Sequence, residues 1–133
     1  MYPDPTPEEL ERERLEQALF IELIRLAPEG TELYITNDSW DGLPALLGTR
    51  MKRRVAENYE DWVIALTPDS RQFLVDKALL DNVQGTFVHF SLLSQSQELV
   101  ASYDRMYTVV LAPEFPEHGR LVADYGDRLD CII

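Results

Sequence analysis

Residues 86–112 read TFVHFSLLSQSQELVASYDRMYTVVLA, and this stretch decides the fold. Residues 86–93 are rich in Phe, Val and Leu, and residues 99–103 and 107–112 follow the same pattern with Val, Tyr and Thr. Between them lie Ser94-Gln95-Ser96-Gln97 and Asp104-Arg105-Met106. Short β-branched and aromatic runs between polar breaks predict successive antiparallel strands. Residues 120–125 and 129–133, around Gly126-Asp127, read as two further short strands.

Upstream the pattern changes to helix. Thr6-Pro7-Glu8-Glu9 carries a capping hydroxyl, a proline at the first helical position and an acid three residues beyond the cap. The helix should run to about residue 26, with Leu15, Ala18, Leu19, Leu23 and Leu26 at helical spacing and Pro28 and Gly30 beyond its end. Residues 32–36 alternate as a strand, and residues 37–48 are rich in turn formers. Residues 49–58 fit either a short basic helix or loop and strand. Residues 62–66 read as a buried strand containing Trp62. Thr67-Pro68-Asp69 repeats the cap-plus-proline device and opens a helix to about residue 83, with Phe73, Leu74, Ala78 and Leu79 as its apolar face and Gly85 after its end. The expected architecture is α+β: one domain over residues 1–133, a largely antiparallel C-terminal sheet, and two to three helices on one face.

Twenty-four Asp and Glu face twelve Lys and Arg, so the 133-residue chain carries a net charge of −12. Such a surface repels nucleic acid and anionic membrane and attracts basic proteins. A hydrophobic share of 45% belongs to a folded domain, not to an acidic tail. The single cysteine, Cys131, excludes an internal disulfide and a cysteine-based zinc cage. Met1-Tyr2-Pro3-Asp4 lacks the basic and apolar regions of a signal peptide, and the apolar run at 18–26 is broken by Glu22 and Arg25. These features lead us to expect a soluble, cytoplasmic protein.

Catalytic signatures are absent. His89 sits in a strand pattern, where a structural role is expected, and His118 sits in an apparent solvated loop; neither belongs to a zinc-protease or deaminase motif. There is no nucleophile elbow and no phosphate-binding glycine loop. Beside Cys131, Asp130 disfavours the thiolate. Residues 37–42 imitate the first half of a calcium loop, but the twelfth position is Gly48 where a bidentate Glu is needed. Asp124, Asp127 and Asp130 fit a polar turn. The expectation is no catalytic residue, no metal and no cofactor. Arg50-Met51-Lys52-Arg53-Arg54 is the one basic block. The overall field opposes a nucleic-acid role for it, so internal ion pairs, with Glu57, Glu60 and Asp61 among others, are expected.

The acids are unevenly spread. Residues 29–41 hold Glu29, Glu32, Asp38 and Asp41 without a Lys or Arg, and residues 57–62 hold Glu57, Tyr59, Glu60, Asp61 and Trp62. Carboxylates beside Trp and Tyr suit a docking face for a basic protein, with charge steering the encounter and an aromatic group filling a pocket. The stretch at 98–111, ELVASYDRMYTVVL, resembles the paired strands of small bacterial immunity proteins, the cognate inhibitors of polymorphic and contact-dependent growth inhibition toxins. That resemblance implies an inhibitor that covers the active site of a basic toxin domain, plausibly a nuclease, its carboxylates standing in for the phosphates the toxin would grip. The residues expected at the interface are Asp38, Trp40, Asp41, Tyr59, Glu60 and Asp61. Two other readings stand beside it: a ligand-binding or regulatory module with a pocket between sheet and helices, and a small enzyme using His89 with a strand-end Asp.

Overall fold

A computed structural model of the protein describes residues 4–56 and 59–126. The elements run α1 (Pro7–Leu26), β1 (Thr31–Thr36), α2 (Leu43–Leu47), β2 (Met51–Ala56), β3 (Tyr59–Ala65), α3 (Pro68–Asp81), β4 (Phe90–Ser94), β5 (Gln97–Tyr103), β6 (Thr108–Leu111) and α4 (His118–Tyr125), with 3-10 turns at Gly48–Arg50 and Val83–Thr86. The six strands form one antiparallel sheet in the order β2-β3-β1-β4-β5-β6. The expected α+β class is what the chain adopts, but the sheet recruits strands from both halves of the chain.

Both long helices start as their capping chemistry dictates. Thr6 Oγ1 accepts from the Glu9 N–H at 3.1 Å, and Thr67 and Ser70 form a reciprocal capping box. The end of α1 is held from outside. Arg71 of α3 donates from Nη1 to the carbonyls of Ile24 at 2.8 Å and Ala27 at 2.7 Å, from Nη2 to Pro28 at 3.0 Å, and from Nε to Leu66 at 3.3 Å. Carbonyls that a helix end leaves without partners are thereby satisfied by one guanidinium.

Strand alternation sorts the sheet into two faces. Leu33, Ile35, Trp62, Ile64, Phe90, Leu92, Val100 and Val109 join Phe20, Leu23 and Ile24 of α1 and Leu74 and Ala78 of α3 in one core. Phe20 meets Phe87 and Phe90 edge-on, with ring centroids 5.8 and 5.6 Å away. Val63 and Ala101 are also buried but stand apart from this cluster, on the opposite face, to which no described helix contributes a core residue. Edge strand β2 carries Lys52, Arg53 and Arg54.

Several expectations change. Residues 86–93 are not one strand: β4 begins at Phe90, after a 3-10 turn and three irregular residues. The backbone there bonds to loops instead of a ladder, as described below. Residues 120–125 are helical, within α4; Leu121 and Tyr125 lie on the same side at either spacing, and Arg120 pairs with Glu117 and Asp124 one helical turn to each side. Of the undecided stretch at 49–58, residues 49–56 are a turn followed by β2, residues 57 and 58 fall outside the described residues, and α2 interrupts the turn-rich residues before it. The second long helix stops at Asp81 because Asn82 adopts φ 50, and Leu79 on its supposed apolar face is exposed. The strand expected at 129–133, and Cys131 with it, falls outside the described residues. Among the described residues, no helix is long and apolar enough to cross a membrane.

Candidate functional site

The chain leaving β1 is sutured to the chain entering β4. Thr36 N–H donates to the His89 carbonyl at 3.2 Å, and Trp40 N–H to the Thr86 carbonyl at 3.1 Å. Val88 N–H donates to Oγ of the buried Ser39 at 2.9 Å. These bonds use the polar backbone of residues 86–89, which explains why an apolar run here is not strand. They also fix Trp40 at the surface, where it is 50% exposed. Its indole folds over Gly42: a Cβ at that position would lie 2.6 Å from Cη2 and 2.7 Å from Cε2. Only glycine leaves room for this pose, while the fully buried Leu43 and Leu47 root α2 beneath it.

Beside the indole opens a cleft of about 560 Å³, lined by Asp38, Ser39, Trp40, Leu46, Asp81, Val83, Gly85, Thr86 and Arg105. That size lies within the range of ligand clefts, roughly 300–1,000 Å³. Arg105 comes from the turn joining β5 and β6, where Asp104, Arg105 and Met106 take φ values of 54°, 55° and 67°. Three successive non-glycine residues in the left-handed region are costly, at roughly 1–2 kcal/mol each. The turn is held by burial of Met106, by Arg105 N–H to the Val88 carbonyl at 2.9 Å, and by Asp104 N–H to His89 Nδ1 at 3.2 Å. Arg105 forms no ion pair with a described residue, and neither do Asp38 and Asp41. Asp38 Oδ1 accepts from Thr36 Oγ1 at 2.6 Å, and Asp81 lies 3.8 Å from Lys77 Nζ.

On the opposite sheet face, a groove of about 320 Å³ is lined by residues that include Tyr34, Thr36, Arg54, Asp61, His89, Ser91, Glu98 and Tyr103. Arg54 stacks over the Tyr34 ring at 5.4 Å. Burial pushes the Asp61 carboxyl up, and Arg54 opposes that shift. His89 packs edge-on against Tyr103, with centroids 5.7 Å apart. Because its Nδ1 accepts a backbone N–H, the neutral ring carries its proton on Nε2.

The expected interface residues therefore divide. Asp38 and Trp40 line the cleft, and Asp41 is exposed next to them. Asp61 belongs to the neighbouring groove, yet it is directly opposite Thr36, whose hydroxyl binds Asp38. Glu60 points to the other face of β3 and pairs with Arg53 at 3.4 Å. Tyr59 opens β3, and its side chain lies outside the described residues, as does Glu57. Of the basic block, Arg50 packs on Phe73 at 4.1 Å and pairs with Asp69 at 3.3 Å, Arg53 takes Glu60, and Arg54 takes Tyr34. His118 is not in a solvated loop: it begins α4, and its Nε2 is buried without a hydrogen-bond partner. Among the described residues, no group of three or more His, Cys, Asp and Glu is arranged to hold a metal ion.

Arg105, Asp81 and Thr86 escaped the sequence reading. Nothing local marks them, because the cleft is made by helix ends and loops, distant in sequence, that meet only in the fold. Gly42, two residues after Trp40, is the one signal that was available. No protein-family model, curated protein or solved structure matches the chain.

Proposed function

We propose that this protein is an acidic, protein-binding inhibitor of the immunity type, which docks a basic toxin domain on the face around Trp40. The observation that carries the reading is a half-exposed tryptophan seated on Gly42, with Asp38 and Asp41 beside it and no described Lys or Arg pairing either acid. A large aromatic group fixed at the surface loses little entropy on binding, and desolvated carboxylates around it favour a cationic partner. The net charge of −12 accelerates the encounter and makes it sensitive to salt. The test is to isolate the partner from native extract and titrate it with the purified chain. A 1:1 complex with a basic protein is expected, weakened by salt and by the double variant Trp40→Ala/Asp41→Ala. An affinity that the double variant leaves unchanged overturns this placement of the interface.

A second reading rests on the sheet-face groove, where His89 and Asp61 line one concavity with Arg54 and Tyr103. It makes the chain a small-molecule-binding module or a small enzyme, with His89 Nε2–H as donor and the Asp61 carboxylate as base. Native mass spectrometry of the purified chain tests it: a bound small molecule lost in His89→Ala favours this reading, and a bare chain counts against it.

A further inference from the structure

The cleft beside Trp40 has a composition that selects among cations. Its charged lining is Asp38, Asp81 and Arg105, two acids and one base with one net negative charge, and Lys77 Nζ, outside the lining, lies 3.8 Å from Asp81. One face is an indole, an efficient surface for stacking a cation. The acids come from different elements, Asp38 from the loop after β1 and Asp81 from the last turn of α3. A planar guanidinium meets all three conditions: it stacks on the ring, offers several N–H donors in one plane, and neutralises one charge. An ammonium supplies the charge but neither the plane nor the fork. Arg105, which has no described ion-pair partner, disfavours a bare divalent ion in the same space.

We propose that this cleft is a receptor for an arginine side chain of the basic partner, the guanidinium stacking on Trp40 between Asp38 and Asp81. The proposal rests on the docking role of this face and specifies which residue of the partner anchors there. It also gives the left-handed turn at residues 104–106 a purpose, since that turn sets Arg105 on the rim and limits the cleft to a single positive charge.

The two tryptophans make the test direct. Trp40 is exposed and Trp62 is buried in the core, so their indole N–H resonances report separately. The full chain is titrated at low salt with a hexa-arginine peptide, its neutral hexa-citrulline analogue and hexa-lysine. Hexa-arginine should shift the Trp40 signal to saturation and leave Trp62 in place. Hexa-lysine should bind several-fold more weakly, and hexa-citrulline should do nothing. The double variant Asp38→Asn/Asp81→Asn should weaken hexa-arginine by about tenfold, whereas Glu29→Gln/Glu114→Gln, the same charge change at exposed positions outside the cleft, should weaken it less than about twofold. If hexa-arginine binds without moving Trp40, or the two double variants are equally weakened, the cleft is not the receptor, although a basic-partner role for the surface survives. Equal binding of lysine and arginine overturns the guanidinium assignment. No binding of either cationic peptide at low salt removes the docking reading itself.

Discussion

Arg120 and Arg105 lie in the same strongly acidic chain with opposite surroundings. Arg120 of α4 reaches Glu22 of α1 at 2.7 Å, Glu117 at 2.6 Å and Asp124 at 3.2 Å. Tyr125, one turn along, donates its hydroxyl to Glu22 at 2.6 Å. The Arg120 hydrogen bonds hold the Glu22 carboxyl below its ordinary range, while burial and then Glu22 push the Tyr125 phenol up to about 12. Glu22 thus fastens α4 to α1 through Arg120 and Tyr125, while Glu117 and Asp124 hold that guanidinium from within the α4 segment. Around Arg105 the carboxylate of Asp38 lines an open cleft with no described Lys or Arg paired to it, Asp81 on the same lining is tied only loosely to Lys77 at 3.8 Å, and Arg105 itself has no described ion-pair partner. An acidic composition alone does not mark a docking face; what marks it is charge left without an internal counterpart beside an exposed aromatic ring.

The comparison can be pressed hardest at Arg71, the most internally bonded arginine. Arg71→Met should cost about 2–3 kcal/mol, since charge-assisted bonds to the carbonyls at the end of α1 are lost. Urea denaturation measures this, and a loss under about 0.5 kcal/mol would mean that arginines paired in the fold do not hold it together. A smaller effect is expected at the α1–α4 seam, where the side chains are partly exposed: Glu22→Gln should cost about 1 kcal/mol or less at neutral pH. The sign with pH is fixed. A carboxyl lowered in the folded state stabilises above its unfolded value, and that contribution disappears as pH falls through the folded value, so parent and variant should converge in acid. Tyr125, raised from 10.0 to about 12, contributes below pH 10 and loses its contribution as pH rises through about 12. The smallest change in stability belongs to the cleft. Gly42→Ala keeps an ordinary backbone conformation, φ −81°, so unfolding should shift by under about 0.5 kcal/mol, while the displaced indole should emit further to the red and be quenched more readily. Unchanged Trp40 emission would show that Gly42 does not set its pose.

What the letters revealed follows from how local each cause is. The starts of α1 and α3 were legible because Thr6 and Thr67 act on backbone three residues away. Strand β1 was legible from alternation, and the burial of Trp62 from the continuous apolar run at 62–66. Residues 86–89 were misread because their bonding partners, Thr36 and Ser39, are 49 or more residues distant. The segment at 120–125 was misread because Leu121, Ala123 and Tyr125 satisfy a strand period while Leu121 and Tyr125 satisfy a helical one. For the site, the acidic-aromatic clusters led to Asp38, Trp40 and Asp41, but could not tell that Glu60 turns towards Arg53 or that Arg105 arrives from another hairpin. Those facts depend on strand parity and on a turn whose conformation no residue type announces.

The cationic run along β2 has a consequence for solution behaviour. An edge strand is a template on which another chain can grow, and Val55 leaves apolar surface there, 75% exposed. Lys52, Arg53 and Arg54 lie on that border, Arg53 paired with Glu60, so two molecules aligning these edges would set like charges against each other at close range. By that repulsion, in a chain of net charge −12, this border disfavours edge-to-edge growth on a second copy.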